Sequence, residues 1–128
     1  MAVPDMIGFV VADMATTLRF YRMIGLDIPP DADGEGHVET ITPNGYRLAW
    51  DTEALVRSFN PGWQPPTGSR LTVAFKCASP ADVDALFARL TDAGAESVLA
   101  PCDAAWGQRY AIVKDPDGNS IDLFARLG

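Results

Sequence analysis

The chain has 128 residues, 48% of them hydrophobic, with ten basic against seventeen acidic residues and a net charge of -7. That length allows one compact domain with a sizeable core, and no apolar run nears the roughly 20 residues that span a bilayer. The acidic balance argues against nucleic-acid and anionic-membrane binding, both of which need phosphate-neutralising Lys and Arg.

Met6 to Val11 is a short apolar run with branched residues, read as a buried strand. Asp13 is a candidate N-cap, Leu18, Tyr21 and Ile24 recur at helical spacing, and Gly25 is placed to end the helix. Leu26 to Ile28 reads as a brief edge strand before Pro29-Pro30, and acidic Asp31 to Gly36 as a mobile loop. His37 to Thr42 and Tyr46 to Trp50 form a hairpin around Pro43-Asn44-Gly45. Asp51 to Ser69 is broken by Pro61-Gly62, Pro65-Pro66 and Gly68, and reads as a long loop in which Phe59 and Trp63 either pin the chain to the core or wall a ligand site.

The same order then recurs. Leu71 to Cys77 reads as a strand, Ser79 caps a helix with Asp82 in its first turn, and Val83, Leu86, Phe87 and Leu90 make the apolar stripe before Gly94. Ser97 to Ala100, Tyr110 to Lys114 and Ile121 to Phe124 are strands, the last two joined by Asp115-Pro116-Asp117-Gly118-Asn119. Asp115 and Asp117 suit a hairpin turn better than a calcium loop. Superposing Asp13 on Ser79 lays Phe20-Tyr21 over Leu86-Phe87 and Ile24 over Leu90. The chain therefore reads as two modules, 1–68 and 69–128, within a single domain. Nine acids and four bases fall in the first and eight and six in the second, so the first carries most of the excess.

Cys77 and Cys102, the only cysteines, read as reduced small hydrophobes. The N-terminus lacks the pattern of a signal peptide, and a soluble, cytoplasmic protein is the expectation.

Val10-Val11-Ala12-Asp13, Phe20-Tyr21, Gly25-Leu26, Trp106-Gly107-Gln108-Arg109 and Asp115 to Asn119 stand in an order that resembles the vicinal oxygen chelate superfamily. Glyoxalase I, extradiol dioxygenases, fosfomycin-resistance enzymes and bleomycin-resistance proteins belong to it. Trp106-Gly107 and the chain length look most like the bleomycin-resistance branch. The resemblance implies an α+β fold in which two βαβββ modules curl a mixed sheet around a cleft, often in a homodimer. It also implies metal-ligand positions on the first and last strands of each module, which fall here on Met6, Ala49, Thr72 and Asp122. Only Asp122 is a good ligand for a hard or borderline ion, whereas a Lewis-acid site needs about three protein ligands. No cofactor is therefore expected. A divalent metal on His37, Glu39 and Asp122 is the lesser alternative.

His37 is the only histidine and reads first as a half-exposed strand residue. Neither a Ser-His-Asp triad nor a phosphate-binding glycine loop has its signature. Strand alternation puts Leu48, Trp50, Ile121 and Leu123 on the helix side and Arg47, Ala49, Asp51, Ser120, Asp122 and Phe124 on the other. Asp122 either pairs with Arg47 or contacts ligand. Arg47, Phe59, Trp63, Trp106, Tyr110 and Asp122 are the candidate binding residues. The leading expectation is metal-free sequestration of a planar or cationic natural product, as in antibiotic resistance, by a homodimer. The alternative is an atypical lyase, isomerase or dioxygenase of the same superfamily.

Overall fold

A computed structural model describes residues 1–128. The chain divides into two compact units, Met1–Pro65 and Pro66–Gly128. It is an α+β protein with one mixed sheet in each unit. No helix is long and apolar enough to cross a membrane.

The first unit holds β1 (Met6–Val11), α1 (Met14–Ile24), a single 3-10 turn (Ala32–Gly34), β2 (His37–Ile41), β3 (Arg47–Thr52) and α2 (Glu53–Phe59). Asp13 starts α1 by accepting the Thr16 N–H at 3.0 Å. Gly25, at φ 116°, ends it, with the Leu26 N–H returning to the Tyr21 carbonyl at 3.2 Å. A left-handed turn of this kind satisfies carbonyls that the helix end would otherwise orphan. The buried face of α1 carries Met14, Thr17, Leu18 and Tyr21. Phe9, Tyr21 and Trp50 form an aromatic core, with Phe9 stacked on Trp50 at 5.9 Å and Tyr21 tilted against both. The indole N–H of Trp50 is buried there without an acceptor. Burial of β1 begins only at Phe9, so the strand is less enclosed than its apolar run suggests.

The second unit holds β4 (Thr72–Lys76), α3 (Pro80–Asp92), β5 (Ser97–Ala104), β6 (Gln108–Lys114) and β7 (Ser120–Arg126). Ser79 caps α3 on the Asp82 N–H. The core is aliphatic: Val83, Leu90, Val113, Ile121 and Leu123 are fully enclosed. Asp115 is buried and accepts the backbone N–H groups of Asp117 and Asn119, which makes its carboxylate part of the turn.

The repeat is visible in strand register. Met6 lies opposite Arg47 and Gly8 opposite Ala49 in the parallel β1–β3 pair. Thr72 opposite Ser120 and Ala74 opposite Asp122 are the equivalent partners in β4–β7.

Four expectations change. Leu26 to Ile28 is not a strand, so the first sheet has three strands, ordered β1-β3-β2, against four in the second, ordered β4-β7-β6-β5. The carbonyls of that segment go to side chains instead: Asp27 accepts from Thr40, and Ile28 and Pro29 accept from Arg22. Asp31 to Gly36 is no free loop, because it contains the 3-10 turn, buries Ala32 and ties Asp33 to Arg22 at 2.8 Å. Asp51 to Ser69 begins with the end of β3 and then α2, capped by Thr52 on the Leu55 N–H. Finally, β5 runs through Pro101 to Ala104, with a register shift between Leu99 and Cys102. A proline cannot donate to a ladder, so pairing breaks beside it.

Candidate functional site

Each sheet packs one face on its helices, and the other face carries the polar side chains. On β7, Ser120, Asp122 and Phe124 alternate with buried Ile121, Leu123 and Ala125. Register places Thr72 and Ala74 of β4 on one side of this row and Tyr110 and Ile112 of β6 on the other. Asp122 is the hub. One carboxylate oxygen accepts from the Thr72 hydroxyl at 2.9 Å, and the other accepts from the Tyr110 hydroxyl at 2.8 Å. Burial, aided by the bond to Asp122, pushes the Tyr110 phenol up to about 12, so it stays a donor at neutral pH.

Trp106 stands edge-on to Tyr110, with ring centres 5.3 Å apart and planes 74° apart. Its indole N–H is given to Gln108, and 65% of the residue is exposed. A packing role is therefore poorly served, and a large aromatic surface is left open next to the Tyr110–Asp122 pair.

The open face of the first sheet is charged. His37 opposes Asp51 across the β2–β3 ladder, and Glu39 follows two residues on, on the same side of the strand. One ring nitrogen of His37 meets Asp51, and the other lies 2.8 Å from Glu39. Arg47 grips the second oxygen of Glu39 and reaches Asp5 at 2.7 Å. The bond to Glu39, then that to Asp51, raises the His37 pKa above its usual value. The Arg47 guanidinium, with help from His37, holds Glu39 down at about 2. The imidazole is the second strand's first residue, not the third's, since the expected strand at Leu26 is absent.

Of the expected binding residues, the structure brings together Trp106, Tyr110 and Asp122. Arg47 does not serve Asp122, because it is spent on Glu39 and Asp5 while Asp122 is held by Thr72 and Tyr110. Phe59 is exposed at the end of α2 rather than pinned to a core. Trp63 lies under the Arg57 guanidinium at 5.1 Å, a cation–π contact. Sequence reasoning grouped Glu39 with His37 only as metal ligands; the pairings it did not foresee are Thr72 with Asp122, Asp51 with His37, and Asp5 and Glu39 with Arg47. The Pro43-Asn44-Gly45 turn contains the missing signal. Closing the hairpin with Thr42 facing Tyr46 brings Glu39 to Ala49 and His37 to Asp51.

The donor set does not suit a resident catalytic ion. Met6 is a thioether, Ala49 has no donor and is fully buried, and Thr72 is a neutral hydroxyl already given to Asp122. Of those four positions Asp122 alone supplies a strong donor, and a catalytic site needs about three protein ligands. Both ring nitrogens of His37 are engaged by carboxylates.

Residues 4–123 match the model of the Glyoxalase/Bleomycin resistance protein/Dioxygenase superfamily. The chain belongs to that superfamily. An uncharacterized protein of Mycobacterium bovis is 30% identical over 120 residues, covering 89% of this chain and 77% of its own. Among solved structures, a superfamily protein from Burkholderia phytofirmans is similar with a TM-score of 0.83 at 16% identity, covering 96% of this chain and 98% of its own. A glyoxalase-related enzyme from Fulvimarina pelagi gives 0.81 at 19% identity, covering 98% and 89%. At these identities the two structures speak for the fold alone. The α+β architecture expected of the superfamily is the one observed.

Proposed function

We propose that this protein binds a small planar or cationic organic molecule on the open face of the second sheet, without a metal ion. Trp106 and Tyr110 offer the rings, and Asp122 offers the charge. One observation carries the reading. Where the superfamily's enzymes use strand side chains as metal ligands, this chain has a single carboxylate, and it is held by two hydroxyls. Each carboxylate oxygen has two acceptor sites, so Asp122 retains room for one N–H donor from a ligand while keeping Thr72 and Tyr110. An exposed indole beside that acceptor suits a flat heterocycle bearing an ammonium or amide nitrogen. Apolar area then supplies affinity, and the carboxylate fixes orientation.

Sequestration, as in the bleomycin-resistance proteins that share the superfamily's name, is the biological form this reading takes. A homodimer is the assembly proposed with it. The test is titration with glycopeptide, quinone and intercalating antibiotics, followed by indole fluorescence and by the NMR signals of Trp106 and Tyr110. Binding at micromolar concentration is expected, weakened about fivefold in Trp106→Ala, the value of one stacking contact of about 1 kcal/mol. No binding below millimolar concentration across the panel would sink the proposal. Stoichiometric Ni, Fe, Mn or Zn in protein purified without chelators, lost in Asp122→Ala, would replace it with the enzyme reading.

A further inference from the structure

The only histidine of the chain stands where the first sheet's ladder ends. His37 is the first residue of β2 and pairs with Asp51, and the one remaining backbone bond beyond it runs from the Thr52 N–H to the Gly36 carbonyl at 2.9 Å. The Asp31–Gly36 segment that leads into this corner is held at its far side by Arg22 on Asp33. Asp31, Ala32 and Glu35 share a recess with His37 and Glu39.

We propose that His37 is a proton-operated latch: charged, it fastens the start of β2 to the end of β3, and neutral, it lets that corner and its recess open. The groups facing it are Asp51 from β3, Glu39 from β2 and, through Glu39, Arg47 of β3 with Asp5. Asp31 and Glu35 lie along the same recess. With the ring charged, the signs alternate along Asp51, His37, Glu39, Arg47 and Asp5, and both ring nitrogens donate. A neutral imidazole has one N–H. One of the two carboxylates then faces a lone pair, and both lose the cation between them. The contacts cannot all survive that change.

The sign follows from the geometry. Both partners raise the folded-state pKa of His37 above the ordinary 6.5. The latch's contribution is complete below pH 6.5 and disappears as pH rises through the folded value.

The full-length protein tests this through the carbon-bound protons of its single imidazole and through amide exchange at residues 36–39 and 51–52. His37 should titrate above 6.5. Protection at those amides, corrected for intrinsic exchange, should fall about two- to fivefold between about pH 5.5 and 8.5, the range of an exposed ion pair. His37→Gln should abolish the pH dependence while leaving Val113 at its wild-type protection. Glu39→Gln and Asp51→Asn should each lower the pKa of His37. A pKa at or below 6.5, a corner whose protection ignores pH, or a pH response that persists in His37→Gln would each overturn the latch.

Discussion

The two open faces place a ring-bearing proton donor at the same point of the repeat and give it different company. Ala49 and Asp122 are equivalent by register, which makes Asp51 equivalent to Phe124 and His37 to Tyr110, their partners across the hairpins. His37 meets the carboxylate directly opposite, in a row of alternating charges. Tyr110 reaches diagonally to the carboxylate two residues away, in a cluster of neutral hydroxyls around one anion. Backbone register has therefore been kept while side-chain chemistry has parted. The first face holds a histidine whose pKa its two carboxylates raise, whereas the second holds a phenol pushed up to about 12. The cores part in the same way, aromatic in the first unit and aliphatic in the second.

The largest expected effect tests the cores. Trp50→Ala should cost about 3–5 kcal/mol and its register equivalent Leu123→Ala about 2–5 kcal/mol, read by urea unfolding. A greater loss at Leu123 would put the tighter packing in the second unit. Next, Asp122→Ala should cost about 1 kcal/mol by stranding the part-buried Tyr110 hydroxyl, while the exposed Thr72 hydroxyl keeps the Ser120 carbonyl. Tyr110→Phe made in that background should add little, and additive losses would show that the Tyr110–Asp122 bond is not formed. Helix caps come third: Ser79→Ala and Thr52→Ala should each cost about 1 kcal/mol, with the smaller fall in melting temperature at Thr52 because α2 has only seven residues.

The smallest effects are the ends of the pH profile. Glu39, lowered from 4.5 to about 2, stabilises above pH 4.5, and that contribution is lost as pH falls toward 2. Tyr110, raised from 10 to about 12, stabilises below pH 10, and that contribution is lost between pH 10 and 12. Glu39→Gln should flatten only the acid arm and Tyr110→Phe only the alkaline arm. A variant that flattened both would show the two faces to be coupled.

Much of the fold could be read from residues alone because its signals are local. Asp13, Ser79 and Gly25 declare helix ends by chemistry that needs no tertiary contact. The Leu26–Ile28 segment misled because its hydrophobic pattern fits a strand, while its carbonyls are claimed by the side chains of Arg22 and Thr40, a choice that no hydrophobic pattern records. The short helix α2 was hidden by the prolines and glycines that follow it, and seven residues give too little periodicity to stand out. At the site, alternation put Asp122, Asp51 and Arg47 on the correct faces. Alternation does not say which neighbour a long side chain will choose. Arg47 has Glu39 beside it on the adjacent strand, so it takes that partner in preference to a remote carboxylate.

The unpartnered indole of Trp50 has a practical consequence. It is enclosed in hydrocarbon, whereas Trp106 stands 65% exposed in the other unit and Trp63 lies beneath a guanidinium. Indole emission moves to longer wavelength as its surroundings become more polar. Loss of the blue component would time the melting of the first unit, and quenching of the red component would signal arrivals at the second. The molecule is its own two-colour thermometer and occupancy gauge, with no dye attached.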